Sequence, residues 1–136
     1  MSVADALAAG RPFVVTFASP LFCRKRACGA TLDVVRSAAE RWRKRGIDFI
    51  HVEVYEHNLV QDGYNEWMRA WNLPSDPFTY VVDRHGIIRA KLEEAFSPGE
   101  RDTALRSLSP RAVALAAALT GSCPPRSSLP AGSDGR

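Results

Sequence analysis

Cys23 and Cys28 are separated by four residues, three of which are Arg24, Lys25 and Arg26. The thiolate is the reactive form of cysteine, and a free thiol titrates near ~8.5. Neighbouring cations lower that value, and so does a helix N-terminus, whose free N–H groups and dipole favour an anion. Both are expected here. The run Phe13-Val14-Val15-Thr16-Phe17 is apolar and β-branched and reads as a buried strand. Ala18-Ser19-Pro20 breaks it, and a long helical pattern starts after Gly29. A strand, a cysteine-bearing loop and a helix in that order put a thiol at a helix N-terminus. Such a pair suits reversible dithiol–disulfide exchange: a thiolate attacks a disulfide, a mixed disulfide forms, and a second thiol releases the product. The bland reading is two buried thiols, or a fixed disulfide, on a scaffold that serves as a binding module. Cys123, just before Pro124-Pro125, reads as incidental.

The elements that must position these thiols follow from periodicity. Val3 to Ala9 is Ala-rich and predicts a short helix that stops at Gly10. Thr31 to Arg45 predicts the longest helix, with Leu32, Val35, Ala39 and Trp42 recurring at spacings of three and four and Gly46 as its stop. Ile47 to Tyr55 alternates as a second strand, with Ile50, Val52 and Val54 on one side and Phe49, His51, Glu53 and Tyr55 on the other. After a polar connection, Gly63 to Asn72 predicts a helix that sends Trp67, Met68 and Trp71 into the core. Leu73 to Pro77 is a turn-rich break, and Phe78 to Val82 a third strand. Asp83-Arg84-His85-Gly86 has hairpin-turn chemistry ahead of a partner strand, Ile87 to Leu92. Ser97-Pro98-Gly99-Glu100 is a capping box that opens a helix through Leu108. Arg111 to Leu119 predicts one more short helix, and Gly121 onward a disordered tail. The fold class is therefore α/β: a central mixed sheet of about four strands flanked by helices, the first two strands parallel and the last two a hairpin.

Composition excludes several classes. The 136 residues suit one domain, covering residues 1–110, with a hydrophobic fraction of 46% and a net charge of +3. The arginines are scattered rather than set in a stripe with aromatics, so no nucleic-acid partner is expected. No apolar run approaches the ~20 residues needed to span a bilayer, so no membrane partner is expected. MSVADALAAG lacks the cationic start and apolar core of a signal peptide. As written, the chain is expected in the cytoplasm, or secreted or envelope-facing if its natural N-terminus is longer. Three cysteines make no disulfide framework, and no Gly-rich phosphate loop follows a strand, so no cofactor is expected.

The element order resembles the thioredoxin-like family across residues 3 to 108. Phe17 to Cys23 resembles the family's passage from strand to active site. Asp76-Pro77-Phe78-Thr79 is similar to its cis-proline element, which lies against the active-site cysteines. The resemblance implies a cis bond at Pro77, with Asp76 and Pro77 meeting the substrate. It also implies a disulfide-containing protein or thiol substrate, with a reductant or oxidant as second partner. The departures are as informative. The family's Cys-Gly-Pro-Cys, preceded by tryptophan, is here a Cys-x4-Cys site preceded by Phe22, and the family's buried acid in the first strand corresponds to Thr16. Two registers fit: Cys23 attacks and Cys28 resolves, or Cys28-Gly29-Ala30-Thr31 takes the motif's place and Cys28 attacks. Nearness to the strand favours the first; nearness to the dipole favours the second, in which Thr31 replaces the resolving thiol and Cys23 resolves from the preceding loop, and Cys28 is taken as the attacking thiol. Copper-carrying relatives use two cysteines and a distant histidine, but His51, His57 and His85 are poorly placed on their predicted elements, and no metal is expected. A peroxidase would use a lone activated cysteine with nearby Thr and Arg; Thr31 and the arginines are present, without a recognisable peroxidase motif.

Overall fold

All five residues of Phe13–Phe17 and all five of Phe78–Val82 are buried, so neither strand has a solvent-facing side. Strands covered on both faces lie inside a sheet that carries helices on both sides. The computed structural model, which describes residues 1–22 and 27–109, has that architecture. Its elements are α1 (Val3–Ala8), β1 (Phe13–Phe17), α2 (Ala27–Arg43), β2 (Asp48–Val52), two 3-10 turns (Glu56–Asn58 and Val60–Asp62), α3 (Glu66–Ala70), β3 (Phe78–Val82), β4 (Ile88–Glu93) and α4 (Pro98–Arg106). The sheet order is β2-β1-β3-β4. β1 runs parallel to β2, with Phe17 opposite Val52, and antiparallel to β3, with Thr16 opposite Thr79. β3 and β4 form the antiparallel hairpin. The helix and tail expected over 111–120 and 121–136 lie outside the described residues.

Alternation along β1 divides the core. Phe13, Val15 and Phe17 pack with Ala6 of α1, Met68 of α3, Ile50, Val54, Phe78 and Tyr80 on one face. Val14 packs on the other face with Ala38 and Trp42 of α2, Val81, and Ala104 and Leu105 of α4. The Ser97–Glu100 capping box is present, with Pro98 in the first turn. α1 starts from a second capping box, Ser2 with Asp5, that the sequence pattern did not single out.

Most element boundaries shift from expectation by a residue or more, and four of the shifts have a physical reason in the contacts. α2 begins at Ala27 rather than Thr31, because Cys28 and Thr31 continue the buried stripe of Leu32 and Val35 back by a turn. β2 ends at Val52, where its partner β1 ends; Val54 is fully buried but lies beyond the ladder. α3 spans five residues, because Asn65 caps it by accepting the Met68 N–H at 3.1 Å. Trp67 consequently points outward, 53% exposed, while Met68 is fully buried. β4 starts at Ile88, since the Ile87 N–H is spent on the Asp83 carboxylate at 3.0 Å.

Candidate functional site

β1 delivers the chain into the site through Ala18 and Ser19, both fully buried. The Ala18 N–H extends the parallel ladder by one bond, to Val52 O at 3.2 Å. His51 holds the same residue from the other side, its Nε2 lying 2.7 Å from Ala18 O. A carbonyl only accepts, so the imidazole carries its proton on Nε2.

Cys28 is the second residue of α2 and is fully buried against Ala18 and Leu32. It is disulfide-bonded. Cys23, Arg24, Lys25 and Arg26, the other thiol and the cations expected to tune it, lie outside the described residues, as does Cys123. Asp76 comes to Cys28 from the far side of the chain, at the entrance to β3. Its Oδ2 lies 3.2 Å from Cys28 Sγ and accepts the Ser19 N–H at 3.3 Å. The carboxylate is buried with its residue, which is 9% exposed. The Asp76–Pro77 peptide bond is cis, and the Pro77 side chain is fully buried. The Pro77 carbonyl already accepts the Glu94 N–H at 3.0 Å. The structure thus brings Cys28, Asp76 and Pro77 together. Thr31 turns away from them: its hydroxyl donates to Glu94 O at 2.8 Å and fastens α2 to the end of β4.

An aromatic wall stands beside this cluster. Phe22 meets Tyr55 edge-on at 6.1 Å, and Tyr55 stacks on Tyr64 at 5.4 Å. The Tyr64 phenol is held above its ordinary value of 10.0, first by burial, then by the negative charge of Asp76 and by Tyr55. These tyrosines and the carboxylate of Asp76 are the features that sequence reasoning missed. The sequence marks Asp76 only through its neighbour Pro77, and nothing local to it points to a sulfur 48 positions away.

The histidines do not converge on the thiol. His57 Nδ1 pairs with Asp62 at 3.0 Å, and the backbone of His85 closes the hairpin turn on Asp83. Among the described residues no three His, Cys, Asp or Glu side chains are grouped to hold a metal ion. Among the same residues no helix is long and apolar enough to cross a membrane.

A four-stranded mixed sheet between two helical layers, with a cysteine at the start of the helix after β1 and a cis-proline entering β3, defines the class: this is a thioredoxin-fold protein. Solved structures agree on the fold. A thiol:disulfide interchange protein of the thioredoxin family from Chlorobium tepidum superposes with a TM-score of 0.60 at 18% identity, covering 79% of this chain and 85% of that one. A secreted disulfide oxidoreductase of Mycobacterium tuberculosis, homologous to E. coli DsbE, gives 0.56 at 15% identity over 73% and 83%. Thioredoxin O2 of Arabidopsis thaliana gives 0.57 at 12% identity over 77% and 81%. By sequence, the chain is 29% identical over 114 residues to a chloroplastic peroxiredoxin Q of Suaeda salsa, covering 65% of this chain. It spans about half the length of that curated relative, 50%. No family model matches the chain.

Proposed function

We propose that this chain is a thiol–disulfide oxidoreductase in which Cys23 attacks and Cys28 resolves. The observation that carries the reading is the state and position of Cys28: a disulfide-bonded sulfur, fully buried in the first turn of α2 beside the cis-Pro77 segment. A sulfur with no exposed surface is closed to a bulky disulfide, which must approach along its own S–S axis. Attack therefore falls to Cys23, with Arg24, Lys25 and Arg26 beside it to favour the thiolate. The Cys23 thiolate displaces one thiolate from a substrate disulfide and forms a mixed disulfide. Cys28 then attacks Cys23 Sγ, expels the second substrate thiolate and leaves the Cys23–Cys28 disulfide. A dithiol reductant returns the pair to its starting state, and the reverse sequence oxidises a substrate dithiol. Tyr55, Tyr64 and Phe22 offer an apolar wall for the substrate.

Titration in defined redox buffers, with mass spectrometry locating the bond, tests this. A reversible Cys23–Cys28 disulfide with a potential between about −270 and −120 mV is the expected result. A pair that never forms, or that no dithiol reduces, would leave the scaffold reading in its place. Cys28→Ser should trap a mixed disulfide on Cys23, and Cys23→Ser should trap none.

The peroxiredoxin Q relative favours a second reading, peroxide reduction by the same pair. There the Cys23 thiolate attacks a peroxide oxygen, the O–O bond breaks, and the alcohol or water leaves. The resulting sulfenic acid condenses with Cys28 to give the disulfide and a second water. Reduced protein that oxidises faster with stoichiometric hydrogen peroxide than with oxidised glutathione would select this reading over the first.

A further inference from the structure

We infer that Asp76 is a catalytic residue that takes the proton from Cys28 when that thiol resolves the mixed disulfide and returns it to the departing thiolate. The inference rests on the exchange reading and assigns its proton path. Three observations support it. Asp76 Oδ2 lies 3.2 Å from Cys28 Sγ, within reach for a thiol that donates to a carboxylate. Yet Cys28 is disulfide-bonded, and a disulfide sulfur has no proton to give. The same contact therefore changes character with redox state: a hydrogen bond in the dithiol, a carboxylate oxygen against sulfur with no proton between them in the disulfide. Third, the carboxylate is held in place independently of the sulfur, by the Ser19 N–H at 3.3 Å. It stays aimed when the proton leaves.

Among the described residues, α2 presents Cys28 to the carboxylate, and the loop after β1 presents the Ser19 backbone. The segment before α3 presents Tyr64, whose phenol the charge of Asp76 helps to keep protonated, with Tyr55 behind it. Glu94, after β4, reaches this region through its backbone, bonded to Pro77 and Thr31. Thr16 and Thr79 hydrogen-bond each other and do not ionise near neutral pH.

The step balances. The Cys28 thiol gives its proton to Asp76 as its sulfur attacks Cys23 Sγ. The bond from Cys23 to the substrate sulfur breaks, and that sulfur leaves as a thiolate. Protonated Asp76 reprotonates it and is a carboxylate again. Two electrons pass from the protein dithiol to the substrate disulfide, and no other reactant is consumed.

Asp76→Asn tests the assignment, since the amide keeps an oxygen for the Ser19 N–H and loses the base. Reduced wild-type and variant protein are mixed with oxidised glutathione, quenched in acid over time, and the mixed and internal disulfides are counted by mass spectrometry. The variant should accumulate the mixed disulfide and resolve it about tenfold or more slowly near neutral pH, recovering as the pH rises. A second measurement follows the Cys28 thiol in a Cys23→Ser/Cys123→Ser background by its ultraviolet absorbance. There Asp76→Asn should lower the pH at which Cys28 ionises, because a like charge has been removed. A thiol that ionises more readily but resolves more slowly is the signature of a lost base, and a merely structural role would not give it. Resolution within about twofold of wild type, or an unmoved thiol titration, would overturn the assignment. If wild-type protein forms neither the mixed nor the internal disulfide, the exchange reading itself fails and the proton role falls with it. The thiol titration still reports, in that case, whether Asp76 and Cys28 are coupled.

Discussion

The hydroxyl oxygens of Thr16 and Thr79 meet at 3.1 Å between directly opposed positions of β1 and β3, each residue 1% exposed. Each is the other's hydrogen-bond partner. Thr16→Val strands the Thr79 hydroxyl and should cost about 1–3 kcal/mol, whereas Thr16→Val/Thr79→Val should recover most of that loss. Urea denaturation of both single variants and the double closes the cycle. Strictly additive costs would mean that the two hydroxyls are not coupled.

The Asp83 carboxylate should set the acid limit of stability. Burial pushes its carboxyl up, but the N–H groups of Ile87 and His85 and the Arg89 guanidinium, 2.6 Å away, together hold it below its ordinary 3.8. A group whose value is depressed on folding stabilises the protein fully above its unfolded value and loses that stabilisation as pH falls through the folded one. Stability measured from pH 6 downward should therefore begin to fall near pH 4, and Asp83→Asn should flatten that fall. Asp83→Ala should cost about 3–5 kcal/mol at neutral pH, since Arg89 is left without its partner.

Arg101 joins α4 to α2 through a guanidinium that donates to Val34 O at 2.7 Å and Ser37 Oγ at 2.6 Å while 8% exposed. Arg101→Lys keeps the charge and loses the fork, so it should not be conservative. Thermal melts should place the lysine variant much nearer to Arg101→Ala than to wild type.

Two tryptophans of one segment should respond very differently to truncation. Trp71 lies 5.0 Å from Phe17 and 5.1 Å from Tyr80, ring to ring, and Trp71→Ala should cost about 3 kcal/mol. Trp67, 53% exposed, should change stability by about 0.5 kcal/mol or less on truncation. Denaturant midpoints of the two variants separate them, and equal losses would put Trp67 in the core after all.

What the sequence discloses and what it hides follow from the range of the interactions. β1 and β3 are legible because strands buried on both faces are apolar throughout. The Ser97–Glu100 cap is legible because its partners are three residues apart. Cys28 at the head of a helix is legible from the local order of elements, although the helix starts earlier than Thr31 because a buried cysteine extends its stripe. Trp67 is misread because side-chain size argues for burial, while Asn65 sets the phase of α3 and turns it outward. Asp76 is seen as the neighbour of a proline and not as the neighbour of a sulfur, because that contact exists only once β3 lies beside β1.

That last dependence has a consequence during synthesis. Cys28 arrives with β1 and α2, and Asp76 follows 48 positions later. At about 5–20 residues per second, the thiols leave the ribosome several seconds before the carboxylate does. The β3–β4 hairpin is local and closes on a microsecond scale of about 1–10 μs, but its docking on β1 must first close a long loop. A newly made chain therefore passes through an interval in which Cys28 behaves as an ordinary thiol, open to any oxidant or alkylating agent it meets. Pairing of β1 with β3 ends that interval by burying the sulfur and bringing the Asp76 carboxylate to it.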